Sequence, residues 1–310
     1  MTTVVVTGGF GYAGGRIVRN LIECGATVRV STRRQTANVP DWARQSVTWG
    51  GDYDALFEGA DCAIHLAAPN EIECARNPNG SVDTTVNLTL NAIGAAQTSG
   101  LRRFIYMSTV HVYGPMQGYI DEDSPPDPGH PYATAHLESE KAVADAATNN
   151  FDAIILRLTN GFGAPADTRP DRWSLLVNDL CRQAVKDRHL VLKSDGMQQR
   201  DFLPLGDVAN AVAYFVFAPP HPTGVRVFNL SAGKSVRVRD MAELIRTRAQ
   251  ELLGTEIGLS LPAAAVPAPQ ADLLIDNRRL LATGFTPATD PVAEIDGMLR
   301  FCTETLPAAS

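Results

Sequence analysis

The chain opens on a short apolar run, Val4–Val6, that leads directly into the glycine-rich segment TGGFGYAGG at residues 7–15. Gly8, Gly11 and Gly14 allow a tight turn, close approach of the backbone to a pyrophosphate, and close packing of a helix against a strand. The apolar positions that follow have a helical period, and the first N–H groups of such a helix favour phosphate. The segment therefore predicts a βαβ unit that binds a dinucleotide.

Composition narrows the remaining choices. The 310 residues are 45% hydrophobic, enough for one large α/β domain or a domain and a half, and the net charge of −7 argues against a nucleic-acid partner. No apolar run approaches the ~20 residues of a membrane span. No basic leader precedes the first strand, so we expect a cytoplasmic protein. Neither the five cysteines nor the six histidines have metal-site spacing, and we expect no metal ion.

Strand and helix patterns alternate up to about residue 160, which is typical of a doubly wound parallel sheet. We expect residues 1–160 to form this Rossmann domain, joined by a returning segment at about 200–230. Residues 161–199 and 231–310 are expected to form a smaller α+β lobe that binds substrate. The predicted strands are Val4–Thr7, Thr27–Ser31, Val47–Trp49, Cys62–Leu66, Arg103–Ser108 and Ala153–Leu158, and the predicted helices are 14–24, 85–98 and 132–148.

The end of the second strand bears on the choice of dinucleotide. An NAD site usually has Asp or Glu there to accept from the ribose 2′-OH, but this chain has Ser31 and Thr32, followed by Arg33 and Arg34. A guanidinium pairs with a 2′-phosphate, so we expect NADP, with NAD as the alternative. The arginines could also form a solvated basic turn. Asp52 could lie near the adenine amino group or cap the next helix, and both interpretations stay open.

Several motifs along the chain together resemble one family. The segment STVHVYG at 108–114 ends an apolar strand, and PYATAH at 131–136 opens a helix. With the glycine-rich turn, these motifs resemble the extended short-chain dehydrogenases/reductases, in the branch of nucleotide-sugar epimerases, dehydratases and reductases. The resemblance covers nearly the whole chain. The other matching segments are DCAIHLAA at 61–68, LRLTN at 156–160, QRDFLPLGDV at 199–208 and FNLSAG at 228–233.

The resemblance implies that Tyr132 exchanges a proton with the substrate oxygen and that Thr109 hydrogen-bonds the same oxygen. Thr109 could instead satisfy backbone groups at the strand end. A phenol with a pKa near ~10 needs a nearby cation to act at neutral pH. The family has Lys four residues after the Tyr, whereas this chain has His136. His136 could bond a nicotinamide ribose hydroxyl and, when partly charged, assist Tyr132. We therefore expect a slow or pH-sensitive enzyme, with a catalytically impaired cofactor-binding protein as the alternative.

A second histidine occupies a position that differs among related enzymes. In 4,6-dehydratases of this type the Ser-Thr pair is followed by Asp-Glu, but here Val110 and His111 follow, so we do not expect dehydration. Fucose-synthase-type epimerase-reductases have a cysteine acid/base at the position of His111. A histidine there could abstract a proton next to a ketone, or it could only contact substrate hydroxyls or pack under a loop.

The resemblance also implies the remaining binding residues. Arg200 is expected on a phosphate of the sugar nucleotide, although an ion pair with Asp201 or Asp207 is an alternative. Asn160 is expected to hold the diphosphate or sugar, Lys193 to lie by the base pocket, and Ser81 to contact substrate. The expected cofactor contacts beyond the three glycines and two arginines are Phe10, Tyr12, Asp52, Tyr53, Leu66, Ala67, Ala68, Asn87 and Ser108.

Together these features predict an NADP-dependent reductase of a nucleotide-linked ketosugar, with a 4-keto-6-deoxyhexose as the expected sugar. One alternative is a nucleotide-sugar epimerase, either redox-neutral at C4 or proton-transferring through His111. A ketoreductase for a non-sugar metabolite is another, against which the Arg200 and Asn160 motifs argue. In the family, the helices at 85–98 and 132–148 pair between subunits as a four-helix bundle, so we expect a homodimer.

Overall fold

A parallel sheet of seven strands forms the centre of the computed structural model, which describes residues 1–32, 38–148, 150–219, 224–262 and 272–306. The strands are β1 (Thr3–Thr7), β2 (Thr27–Ser31), β3 (Val47–Gly50), β4 (Cys62–His65), β5 (Arg103–Thr109), β6 (Gly118–Ile120), β7 (Asp152–Leu158), β8 (Asn160–Phe162), β9 (His189–Val191), β10 (Gln199–Pro204), β11 (Val225–Leu230), β12 (Ser235–Arg237), β13 (Gly258–Ser260) and β14 (Leu273–Ile275). The central order is β11-β7-β5-β4-β1-β2-β3. Its inner strands are buried on both faces, as parallel strands covered by helices must be.

Helices cover both faces of this sheet. The helices are α1 (Tyr12–Glu23), α2 (Tyr53–Phe57), α3 (Glu71–Arg76), α4 (Pro78–Thr98), α5 (Pro131–Ala146), α6 (Leu176–Asp187), α7 (Leu205–Phe217), α8 (Val238–Leu253), α9 (Arg278–Leu281) and α10 (Pro291–Thr305). Helices α1 and α7 pack on one face, and α2, α4 and α5 pack on the other. No helix within the described ranges is long and apolar enough to cross a membrane.

The expected doubly wound α/β fold is confirmed, and the sheet extends one strand beyond the six predicted. Strand β11 pairs with β7 from Val225↔Ala153 to Leu230↔Leu158. It was missed because its first residues are only partly buried and carry Arg226 in an otherwise apolar pattern. Helix α4 also begins at Pro78 rather than at residue 85, because the Asn77 side chain caps it by accepting from the N–H of Gly80.

Strand order fixes where a ligand site forms. From β1 the chain adds β2 and β3 on one side, then crosses to β4, β5 and β7 on the other. The direction reverses between β1 and β4, which leaves a crevice beyond the carboxyl ends of these two strands. The glycine-rich turn follows β1 directly, so it lies at this crevice.

A smaller lobe faces the crevice from the other side. Helices α6, α8 and α10 share a hydrophobic cluster there, beside the sheet β12-β10-β8. Side chains of α1 tie this lobe to the first domain. The Tyr12 hydroxyl donates to the Gly163 carbonyl at 2.8 Å, and Arg16 forms a two-pronged ion pair with the buried Glu294, with its shorter contact at 2.6 Å.

Candidate active site

A cavity of about 700 Å³ occupies the crevice. Its walls are the glycine-rich turn, the ends of β4, β5 and β7, the start of α5, and lobe segments near residues 170–177 and 198–202. The predicted site residues that line it are Gly8, Gly11, Tyr12, Gly14, Leu66, Ala68, Ser108, Thr109, His111, Tyr132, His136, Asn160 and Arg200. Residues far apart in the sequence, from Gly8 to Ile275, therefore meet in one cavity.

The glycine-rich turn presents bare backbone to the cavity. Gly8 has a φ of +71°, in the left-handed region that favours glycine, and a Cβ there would lie 3.0 Å from the backbone of Leu66 and Ala67. At Gly14 a Cβ would lie only 2.3 Å from the Gly8 carbonyl oxygen. No side chain caps the N-terminus of α1, so its first N–H groups can donate hydrogen bonds to an anion. These features fit the pyrophosphate of a dinucleotide.

Two residues of the turn direct their side chains elsewhere. Phe10 packs into the hydrophobic core, edge to face with Trp42 at 6.2 Å between ring centroids. The Tyr12 hydroxyl bonds the lobe at Gly163 and Asn178. Any contact of these two residues with a dinucleotide therefore involves backbone or ring surface, not the Tyr12 hydroxyl.

The adenine end of the expected site is only partly defined. Arg33 and Arg34 lie outside the described residues. Asp52 caps α2, as one of the two interpretations predicted, by accepting from the N–H of Asp54 at 3.0 Å. The Tyr53 ring packs against Phe57. Neither Asp52 nor Tyr53 lines the cavity.

Four other predicted residues lie off the cavity. Asn87 is exposed on α4, where the buried polar positions are Ser81, Thr85 and Thr89, so the expected approach of Asn87 to a cofactor is corrected. Ser81 is buried and donates to the Glu73 carbonyl, while Lys193 is exposed. The structure does not bring these three to the cavity. Ala67 also lies outside its lining, although its backbone packs against Gly8.

Tyr132 and Thr109 meet within the cavity. Thr109 ends β5, and Tyr132 lies in the first turn of α5, where His130 caps the helix by accepting from the Tyr132 N–H at 3.1 Å. Both side chains line the cavity, and the Thr109 hydroxyl lowers the pKa of the Tyr132 phenol. Burial raises the pKa of Tyr132 to about 12, and the charge of Arg172 opposes that rise. Two hydroxyls therefore converge where a substrate oxygen could be held.

His136 lies beside Tyr132 but cannot supply the charge of a lysine. The two rings meet edge to face, and burial lowers the pKa of His136 to about 4. The imidazole is therefore neutral at pH 7, which corrects the expectation of a partly charged side chain. Its Nδ1 lies 2.8 Å from the Tyr106 hydroxyl. Among the described residues its Nε2 has no partner although it is buried, which fits a hydrogen bond to a ribose hydroxyl of a dinucleotide.

Ser108 has a structural role that sequence reasoning missed. Its hydroxyl donates to Glu140 at 2.5 Å, and Glu140 pairs with Arg157, with its shortest contact at 2.7 Å. Arg157 also donates to the Tyr113 hydroxyl at 2.9 Å. This buried network joins β5, α5 and β7 behind the Thr109 and Tyr132 side chains. The signal was an arginine within the apolar run 153–158.

His111 faces the cavity from the 3₁₀ turn that follows Thr109. Its ring centroid lies 6.3 Å from that of Tyr132. Burial and the charge of Arg200 both lower the pKa of His111. Its neighbour Val110 packs in a separate hydrophobic cluster. Positions 110 and 111 thus hold a buried valine and an imidazole, not the two carboxylates of the dehydratases.

Arg200 is exposed to the cavity, and neither suggested aspartate pairs with it. Asp201 accepts from the Thr159 hydroxyl at 2.7 Å and from the N–H of Ala232. Asp207 accepts from two backbone N–H groups in the segment that precedes α10. The guanidinium of Arg200 is thus available to an anionic ligand. Asn160, which also lines the cavity, donates its side-chain N–H to the Asp201 carbonyl at 2.7 Å.

An ion pair across the cavity was also missed. Arg172 of the lobe lies 3.0 Å from Glu71 of α3, and the Ser174 hydroxyl donates to the same carboxylate at 3.0 Å. Both charges act on the Tyr132 phenol, since Arg172 lowers its pKa and Glu71 raises it. Glu71 and Arg172 lie about a hundred positions apart in the sequence, so no short sequence pattern could predict their ion pair.

The fold and this site are those of a dinucleotide-dependent enzyme with a Rossmann-like sheet. The chain matches the NAD dependent epimerase/dehydratase family over residues 4–231 and belongs to it. The family resemblance is therefore confirmed. The expectation of an NAD(P)-dependent enzyme of the nucleotide-sugar oxidoreductase and epimerase type is confirmed at that level.

Individual relatives are distant. The chain is 28% identical over 263 residues to a UDP-glucose 4-epimerase of Streptomyces lividans, which covers 78% of this chain and 79% of that protein. It is similar in structure to MoeE5 in complex with UDP-glucose and NAD, with a TM-score of 0.80, 23% identity, and coverage of 98% and 100%. It is also similar to RMD from Pseudomonas aeruginosa complexed with NADPH, with a TM-score of 0.76, 22% identity, and coverage of 99% and 100%.

Proposed function

We propose that the protein interconverts the C4 epimers of a nucleotide-linked hexose. The observation that carries this proposal is that Tyr132, Thr109 and Arg200 line one cavity, and that the described residues show no ion pair with Arg200. A diphosphate on Arg200 would leave the sugar to reach the two hydroxyls. The 4-epimerase relative supports this choice. The Val110 and His111 pair argues against dehydration, for which both positions would carry carboxylates.

The chain's own residues would divide the work as follows. Thr109 would hydrogen-bond the C4 oxygen, and Tyr132 would take the proton of the C4 hydroxyl and later return it. A bound nicotinamide dinucleotide would supply hydride acceptance and return at C4. The glycine-rich turn would hold the pyrophosphate, and His136 Nε2 would hold a ribose hydroxyl. Because hydride and proton both return to the same sugar, the net reaction would consume no cofactor.

The experiment that tests this function follows a label. The protein would be incubated with UDP- and dTDP-hexoses carrying deuterium at C4, and products would be identified by NMR. We expect the epimer to form with the deuterium retained at C4. Tyr132→Phe should abolish turnover, whereas Tyr214→Phe, which removes a phenol remote from the cavity, should not. Absence of turnover with every hexose in the panel would contradict the proposal.

A reductase of a nucleotide-linked ketosugar, expected with a 4-keto-6-deoxyhexose, is the second candidate. Strand β2 ends at Ser31, followed by Thr32, with no carboxylate to accept from a ribose 2′-OH. This supports NADP over NAD, and a cofactor consumed in each turnover is commonly NADPH. Stoichiometric loss of added NADPH with a 4-ketosugar would favour the reductase, and tightly retained cofactor would favour the epimerase. Binding of each dinucleotide would be compared in wild type and Arg33→Ala.

Proton transfer by His111 belongs to a different epimerase mechanism, which can be tested separately. In an epimerase that acts at the carbon next to a ketone, His111→Asn would stop incorporation of solvent deuterium there. In the C4 mechanism that we favour, the same variant would leave the C4 label in place. Cytoplasmic residence and assembly as a homodimer stay predictions.

A further inference from the structure

Asp201 is a fully buried carboxylate at which three segments of the chain meet. Its Oδ1 accepts from the Thr159 hydroxyl at 2.7 Å and from the N–H of Ala232 at 2.9 Å. Its main-chain carbonyl accepts from the side-chain N–H of Asn160 at 2.7 Å. Asp201 therefore joins β10 both to the junction of β7 with β8 and to the turn that follows β11.

The turn that provides the Ala232 N–H is itself held in place. The Ser231 hydroxyl donates to the Ile275 carbonyl of β14 at 2.9 Å. The Asn277 side chain donates to the Ser231 carbonyl, also at 2.9 Å, and both of these hydrogen bonds are buried. The carboxylate is thus anchored to a point that its own neighbours hold fixed.

This anchor determines the direction of the Arg200 side chain. Side chains alternate between the two faces of a strand, so holding the Asp201 side chain against the turn directs Arg200 to the opposite face of β10. Arg200 lines the cavity and has no ion pair among the described residues. The strand register is fixed on both sides, by Arg200 opposite Val236 and by Phe202 opposite Asn160. Loss of the anchor would therefore let the guanidinium move from its place in the cavity.

The donors around Asp201 use one of its oxygens and do not need its charge. Both donors bond Oδ1, and Oδ2 has no hydrogen-bond partner among the described residues. Burial raises the pKa of Asp201 to about 6, which is consistent with a carboxylate that has no cation beside it. An asparagine presents the same oxygen acceptor and should therefore hold the same two donors.

We infer that Asp201 is a positioning residue, which acts through Arg200 and sets the affinity of the site for the diphosphate of a sugar nucleotide. The inference rests on the proposed function, in which Arg200 binds that diphosphate. An interaction with the diphosphate is the same before and during the chemical step. Loss of Asp201 should therefore raise KM for the sugar nucleotide and leave kcat nearly unchanged.

The affinity for free UDP and dTDP, measured by calorimetry, tests the inference without turnover. Arg200→Ala should weaken binding by about 10- to 100-fold, as expected for the loss of a hydrogen bond to a charged group. Asp201→Ala should weaken binding by most of the same factor. The double variant should bind about as weakly as Arg200→Ala alone, because Asp201 acts through Arg200. Asp201→Asn should bind as tightly as the wild type.

Two further variants separate this effect from general loss of structure. Asp207→Ala is the matched control, because Asp207 is a buried carboxylate that also accepts two hydrogen bonds, from backbone N–H groups, but lies off the cavity. It should leave the affinity for UDP unchanged. Thr159→Val removes one of the two donors to Asp201 with little change in shape and should also weaken binding. This variant keeps the test decisive if Asp201→Ala does not fold.

The inference fails if Asp201→Ala binds UDP and dTDP as tightly as the wild type, or if its effect multiplies with that of Arg200→Ala in the double variant. It also fails if Asp201→Asn or Asp207→Ala loses as much affinity as Asp201→Ala. A protein that shows the expected affinities but converts no hexose would contradict the proposed function alone. A wild type that binds neither nucleotide would contradict both.

Discussion

The rings of Tyr132 and His136 meet edge to face with their centroids 4.6 Å apart, one helical turn apart on α5. An imidazole with a pKa of about 4 adds no charge to this contact at neutral pH, so burial holds the pKa of Tyr132 at about 12. The protein thus places a hydrogen-bonding ring, rather than a cation, against its proposed proton carrier.

The first prediction concerns pH. Oxidation of an alcohol needs the Tyr132 phenolate, so the wild-type rate should keep rising with pH toward about 12, and no inflection from His136 should occur above about pH 4. His136→Lys places a cation near the phenol and should lower the pKa of Tyr132 by about 1–3 units, moving the rise to lower pH. The measurement is the pH–rate profile together with ultraviolet titration of tyrosinate. Glu138→Lys, on the exposed side of the same helix, should leave the profile in place.

The second prediction concerns stability. Glu140 and Arg157 are almost fully buried, so Glu140→Gln leaves an unpaired buried guanidinium and should cost about 3–5 kcal/mol of the free energy of unfolding. Glu138 lies two residues before Glu140 on α5 and forms an exposed ion pair with Lys141. Glu138→Gln removes this pair and should lower the free energy of unfolding by about 0–1 kcal/mol. Urea denaturation measures both. An equal decrease in the free energy of unfolding in both variants would show that the buried ion pair stabilises the fold no more than the exposed one.

The third prediction concerns the glycine-rich turn. Gly14→Ala forces a methyl group against the Gly8 carbonyl and should destabilise the fold by about 1–3 kcal/mol while weakening dinucleotide binding. Gly297→Ala, within α10 and facing open space, should instead stabilise by about 0.5–1 kcal/mol. Thermal unfolding with and without NADP or NAD reports both effects. Unchanged dinucleotide binding in Gly14→Ala would argue against a pyrophosphate at this turn.

The fourth prediction concerns assembly. If α4 and α5 pair between subunits, Leu90, which is 49% exposed on α4, becomes buried in the dimer. Leu90→Arg should then yield monomers in light scattering at concentrations where the wild type is dimeric. Leu252→Arg, at a similarly exposed leucine on α8, should leave the assembly intact. A monomeric wild type would remove the basis of this expectation.

The fold was predictable from the sequence because each strand, turn and helix start is specified by a few neighbouring residues. The run Val4–Val6 and the glycines at 8, 11 and 14 specify a strand, a turn and a helix start within a few residues. Strand ends then bring Thr109 to the crevice, since parallel strands place their carboxyl ends at one edge. The short motif PYATAH at 131–136 likewise predicted the helix start that holds Tyr132.

Contacts between distant residues were not predictable in this way. His65 contacts Thr89, and Tyr106 contacts His136, each pair from two different elements, and only the fold shows these contacts. A histidine inside the apolar run 62–66 was a visible signal, but its partners had no fixed spacing. Asn87 illustrates the reverse error, because a helix turns by 100° per residue and a small shift in register moves a side chain from the buried face to solvent.

The bonds from Tyr12 and Arg16 to Gly163 and Glu294 have a consequence for entry and exit of ligands. Helix α1, which begins at the glycine-rich turn, is fastened to the opposite lobe by a buried carboxylate and a main-chain oxygen. Opening the crevice like a hinge would break these bonds together. We therefore expect a dinucleotide, once seated, to leave slowly.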